Sequence, residues 1–300
     1  MLKKQSKLTK IVLPKLSTNT NKDSAWSDRQ FIKLMEIKKG GFSSQRLLRI
    51  MKELVAGYKF VSRYNKKAVT VFGSARCGFD EKIYQDAIDL GYLLSKDGYT
   101  VVTGGGPGIM EAANRGAMKA GGKSIGLNIQ LETEQRINSY VKDSTSFHYF
   151  FTRKVMLASV SEVYVFFPGG FGTMDELFEM LTLVQTKKIS HVPIILVNRE
   201  FWTPLLSWVE NIMEKKHHAI SPTDTELYYV ADNASTALRI IHKLDKEGKL
   251  HKRKKRPDIW THKAEGVIMP GACPIIESSS QIEKDKTSNS QLKKKRNKVN

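Results

Sequence analysis

The spacing of apolar positions changes several times along this chain. Between 42 and 64, Leu47, Leu48, Met51, Leu54, Val55 and Tyr58 recur at helical spacing. At 68–72 the pattern collapses to a short β-branched run, AVTVF, stopped by Gly73-Ser74. A helical stretch follows at 81–95, then the strand-like YTVVT at 99–103, a helix at 109–120 and a strand at 124–128. The second half keeps the rhythm. An aromatic strand or loop is expected at 147–151, a short helix at 153–159, the buried strand EVYVFF at 162–167 and a helix at 173–187. PIILV at 193–197 reads as a strand. The helix at 201–215 places Trp202, Leu205, Leu206, Trp208, Val209 and Ile212 largely on one face. A short strand at 227–230 and a closing helix at 234–246 complete the series. Strands alternating with helices predict an α/β fold with a parallel sheet and right-handed crossovers that put helices on both faces.

Three glycine loops follow strands in this reading: Gly73-Ser74, Gly104-Gly105-Gly106-Pro107-Gly108 and Gly169-Gly170-Phe171-Gly172. In parallel sheets, ligands bind beyond the C-terminal strand ends. Glycine lets backbone approach an anion closely, and the next helix offers free N–H donors. One such loop can be a plain turn. Three at one sheet edge point to a phosphate-bearing ligand. The dinucleotide fingerprint is not met, because Ile109 and Asp175 stand where a third glycine would be. No glycine loop is followed by Gly-Lys-Ser/Thr, so the ATP P-loop is absent. A nucleoside monophosphate needs neither.

The carboxylates Asp175 and Glu176 open the helix after the third loop. Adjacent helical residues point about 100° apart, so the two cannot act face to face. Acidic residues in a first turn also simply favour the helix dipole, and Glu111 sits similarly after the second loop. Arg153-Lys154 are expected to start a helix, where cations are unfavourable unless a negative partner faces them. The histidines are scattered without ligand spacing, and no metal site is expected.

Charge changes the picture only at the ends. The chain carries +19 overall; residues 1–40 hold +7, 249–300 hold +9 and the middle only +3. We therefore expect a basic arm at 1–40, one domain at 41–248 and a basic tail at 249–300. Runs such as KRKKR and KKKR attract nucleic acid or anionic membranes weakly, and are also what a solvated tail looks like. Cys77 and Cys273 suggest no disulfide framework. No run approaches the roughly 18 apolar residues of a membrane span, and the basic N-terminus lacks a signal-like apolar core, so a cytoplasmic protein is expected.

Several separated motifs resemble the LONELY GUY (LOG) family of nucleoside 5′-monophosphate phosphoribohydrolases, often mislabelled lysine decarboxylases. The signature PGGxGTxxE stands here as Pro168–Glu176, and GGGxxGxM as Gly104–Met110, followed by EAANRGA. The RK pair is Arg153-Lys154; VFGSAR and LTLVQTKKI look like the longer bacterial-type members. The resemblance runs from about Phe42 to Leu244. It implies a Rossmann-like, doubly wound fold and hydrolysis of the N-glycosidic bond of AMP or a cytokinin riboside monophosphate. It implies Arg153 and Glu176 as the catalytic pair, and Gly170, Gly172 and Thr173 as the phosphate grip, with Gly169 beside them in the substrate site. Gly73, Ser74, Gly104, Gly105, Gly106 and Lys154 would complete the substrate site. No cofactor is implied, and members form homodimers or larger assemblies. The alternative is a nucleotide- or cofactor-binding carrier of the same fold. Pyridoxal-dependent decarboxylation fits poorly, since no Schiff-base lysine stands out.

Overall fold

The computed structural model describes residues 44–250, apart from 65–66, 79–80, 132–136 and 190. The basic arm expected at 1–40 and nearly all of the tail expected at 249–300 lie outside the described residues. Helix α1 (Ser44–Ser62) leads into β1 (Ala68–Phe72), α2 (Lys82–Lys96), β2 (Thr100–Thr103), α3 (Ile109–Lys119) and β3 (Ser124–Ile129). Then come β4 (Asp143–Phe147), α4 (Phe150–Val160), β5 (Val163–Phe166), α5 (Phe171–Gln185) and β6 (Ile194–Val197). Helix α6 (Arg199–Trp208), β7 (Tyr228–Ala231) and α7 (Ala234–Lys246) close the series.

Among the described residues, the seven strands pair parallel in the order β4-β3-β2-β1-β5-β6-β7. The chain winds outward from β1 to β4, returns to β5 beside β1, then winds outward the other way. The reversal opens a crevice between the ends of β1 and β5, where α/β sheets place ligands.

The central strands are buried along their whole length, which explains their unbroken apolar runs. Alternation divides them between two cores. Val69, Val71, Val101, Val163, Val165, Ile195 and Val197 pack with α2, α3 and α7. Ala68, Phe72, Val102, Tyr164, Phe166, Ile194 and Leu196 pack on the other face with α4, α5 and Trp202 of α6. Leu250 is buried in the first core.

Two segments differ from the sequence expectation. Where an aromatic strand or loop is expected at 147–151, the polar β4 ends at Phe147 and Phe150-Phe151 begin α4. As an edge strand, β4 buries only Phe147, so DSTSF shows no apolar alternation. The helix expected at 201–215 changes at Val209 into a π-helix, Val209–Lys216. Trp202 is buried whereas Trp208, six residues on and about 240° round the α-helix, is half exposed.

Candidate active site

A cavity of about 810 Å³ opens at the reversal point. Its walls include Gly73, Ser74 and Arg76 after β1, Gly169–Glu176 after β5, and Arg153 from α4. Met110, Ile129, Leu131 and Phe150 supply an apolar side. Ser74 ties the surrounding loops together. Its N–H donates to the Pro168 carbonyl at 3.0 Å, while its own carbonyl accepts from Ile109 N–H at 2.9 Å.

The motif PGGFGT forms the start of α5. Gly170 is the N-cap, in extended backbone, and no side chain caps the helix. A Cβ at Gly169 would meet the Thr173 side chain at 2.1–3.0 Å, whereas Gly170 and Gly172 face open space. The exposed rim and uncapped first turn therefore leave backbone donors and the dipole's positive end toward the cavity. Phe171 is 94% exposed on this rim.

Glu176 lies farther along α5 and is only 7% exposed. Burial pushes its pKa from 4.5 up to about 7, against the opposing pull of Arg153 and Lys154; Glu179 and Asp175 add to the rise. Arg153 is held from two sides. Its Nε donates to the Leu127 carbonyl at 2.8 Å, and a Cβ at Gly104 would come within 2.4 Å of its Nη2. Burial lowers the Arg153 pKa, and the charge of Glu176 partly restores it. The two side chains thus share one desolvated field.

The remaining expected residues have other partners. Lys154 Nζ lies 2.9 Å from both Asp175 and Glu179, joining α4 to α5 rather than lining the cavity. Asp175 is exposed at the rim, so the two adjacent carboxylates occupy different environments. Gly104, Gly105 and Gly106 stand behind the wall. Asn138 N–H donates to the Gly105 carbonyl and its Nδ2 to the Gly106 carbonyl, both at 2.9 Å. Asn114 Oδ1 accepts from Thr103 and Asn138, and its Nδ2 donates to Ser124. This buried network explains EAANRGA: Asn114 fixes the loop against which Arg153 rests. The apolar wall was not recognised from sequence, because its residues come from separate loops and helices. Arg76 stood within VFGSAR, where proximity to Ser74 was the available signal.

Fold and site together define an α/β protein with a glycine-lined crevice and an Arg–Glu pair at its topological switch point. A family model described as "possible lysine decarboxylase" matches residues 110–241. The cytokinin riboside 5′-monophosphate phosphoribohydrolase LOG3 of Arabidopsis thaliana is 30% identical over 174 residues, 57% of this chain and 78% of that protein. The enzyme of the same name from Rhodococcoides fascians is 28% identical over 153 residues, 50% of this chain and 77% of that protein. The chain belongs to the LOG family. Among solved structures, the molybdenum cofactor carrier protein of Chlamydomonas reinhardtii matches with a TM-score of 0.47 and 22% identity, over 60% of this chain and 99% of that one.

Proposed function

We propose that this protein hydrolyses the N-glycosidic bond of a nucleoside 5′-monophosphate, AMP or a cytokinin riboside 5′-monophosphate, to free base and ribose 5-phosphate. The observation that carries this reading is a buried carboxylate with a pKa near 7, set beyond an open glycine cradle and facing the same cavity as Arg153. The named activity of the relatives supports it.

In this reading Gly169, Gly170, Gly172 and Thr173 hold the 5′-phosphate at the α5 N-terminus. Glu176 lies five positions after Phe171, roughly 7.5 Å along the helix axis, a span suited to a ribose phosphate. Departure of the base builds positive charge on the ribose, as in glycoside hydrolysis. Ionised Glu176 stabilises that charge and deprotonates or orients the attacking water. Phosphate binding fixes the sugar in register. Arg153 binds phosphate or eases departure of the base, and Met110, Ile129, Leu131 and Phe150 offer the base an apolar wall. Pyridoxal chemistry gains no support: among the described residues lining the cavity there is no lysine, and Lys154 is engaged by two carboxylates. The family's homo-oligomeric state would cover the exposed rim aromatics Phe150 and Phe171.

Incubation with AMP, with adenine and ribose 5-phosphate measured separately, tests the reading. Glu176→Gln should lower base release by at least about 100-fold while AMP still binds. Wild-type rates in a folded Glu176→Gln variant would sink the mechanism. Tight AMP binding without base release by the wild type would favour a carrier. A panel of nucleoside monophosphates, including prenylated ones, then ranks the bases.

A further inference from the structure

The helix that carries Arg153 begins without a cap of its own. Tyr149, at its N-cap, makes no side-chain bond to the first turn. The acceptor comes instead from α1, 95 to 99 positions earlier in the chain. Glu53 Oε1 accepts from His148 N–H at 2.9 Å, and Oε2 from Tyr149 N–H at 3.3 Å. The Thr152 hydroxyl lies 2.7 Å from that Oε2, and equally near the Tyr149 carbonyl. A carboxylate here meets both the loose donors and the positive end of the α4 dipole.

Helix α1 is itself anchored at several points. A Cβ at Gly57 would come within 2.8 Å of both Met156 on α4 and Phe147 at the end of β4, so glycine permits a close approach. The Arg46 guanidinium sits 5.7 Å from the centroid of the Tyr149 ring. Just beyond the helix, Arg63 pairs with Asp143 of β4 at 3.2 Å. Glu53 is therefore presented by a docked helix.

Arg153 follows Thr152 directly. Its tip is tethered to Leu127 of β3 and packed on Gly104, while its base moves with α4. A small displacement of the first turn of α4 would pull the guanidinium away from one of these supports. We propose that Glu53 is a positioning residue for the active site: by capping α4 from outside, it sets the backbone from which Arg153 reaches the cavity. The proposal rests on the reading of Arg153 as a group that acts on the nucleotide. Glu53 lies outside residues 110–241, the span matched by the family model.

A double-mutant cycle tests it. Adenine release from AMP and AMP affinity by calorimetry are measured for wild type, Glu53→Gln, Arg153→Ala and the double variant. Glutamine keeps the shape but loses the charge and turns an amide donor toward one of the bonded donors. Glu53→Gln should lower kcat/KM about five- to tenfold in the wild-type background, and less than about twofold in the Arg153→Ala background. Equal losses in both backgrounds would overturn the proposal and leave Glu53 a structural cap only. If the wild type releases no base from AMP or from a prenylated adenosine monophosphate, the hydrolase reading falls, and the same cycle in AMP affinity decides on Glu53: coupling supports it, additivity overturns it. Should Glu53→Gln fail to fold, Thr152→Val, which removes one of the three donors, takes its place under the same criteria.

Discussion

Replacing Glu176 by glutamine should stabilise the protein above neutral pH while disabling it. The carboxyl titrates near 4.5 in an unfolded chain and near 7 in the folded site, chiefly because burial disfavours its charged form. The folded state thus holds the proton more tightly than the unfolded state. Below pH 4.5 the proton is bound in both states and ionisation costs folding nothing. As pH rises toward 7 the unfolded chain loses its proton first, so the folded state falls behind; above 7 the penalty is complete. At about 1.4 kcal/mol per tenfold change, the full interval is worth about 3 kcal/mol. With Glu176 only 7% exposed, solvent screening removes little of it. Glutamine has a similar shape and no ionisation. Urea unfolding of both proteins at about pH 5 and about pH 8 should therefore show the Glu176→Gln advantage widening by about 2–3 kcal/mol. In thermal melts that is roughly 4–10 °C. Other titrating groups are common to both proteins and cancel in the difference. A gap that stays constant across this range would refute the assigned burial cost, and with it the view that the site stores instability for chemistry.

The same ionisation should govern catalysis. Base release by the wild type is expected to rise through about pH 7 and level off above it, because Glu176 acts as the carboxylate; a profile flat from pH 5 to 8 would remove it from that role. Gly104→Ala places a Cβ 2.4 Å from Arg153 Nη2 and 2.8 Å from Met110 Sδ, both ends of flexible chains. We expect a loss of about tenfold in kcat/KM with melting changed by less than about 1 kcal/mol; a large stability loss with intact kinetics would contradict it. Gly170→Ala meets no atom within 4 Å and should fold like the wild type, yet its methyl enters the proposed phosphate space. Calorimetry should show AMP affinity falling about tenfold or more, while unchanged affinity would move the phosphate elsewhere.

The alternation of short apolar runs with helical spacing was sufficient by itself to predict a parallel α/β sheet. Strands buried on both faces must be apolar throughout, and the helices must turn one stripe toward them. The glycine loops and the position of Glu176 one turn past PGGFGT were equally legible, since a tight turn feeding a helix start is a local requirement. The strand β4 was not legible, because an edge strand escapes the burial that marks its neighbours. Nor could spacing reveal where Lys154 goes. Only the packing of α4 on α5 turns it toward Asp175 and Glu179 and leaves Arg153 with the cavity. The asparagine contacts of Gly105 and Gly106 and the closeness of Gly104 to the guanidinium were likewise hidden from spacing, because Asn114 and Asn138 come from other elements. Local chemistry is written in neighbouring residues, but the pKa of Glu176 and the cap supplied by Glu53 depend on groups distant in sequence. Desolvation and hydrogen bonding act through space, so these properties exist only once the chain has folded.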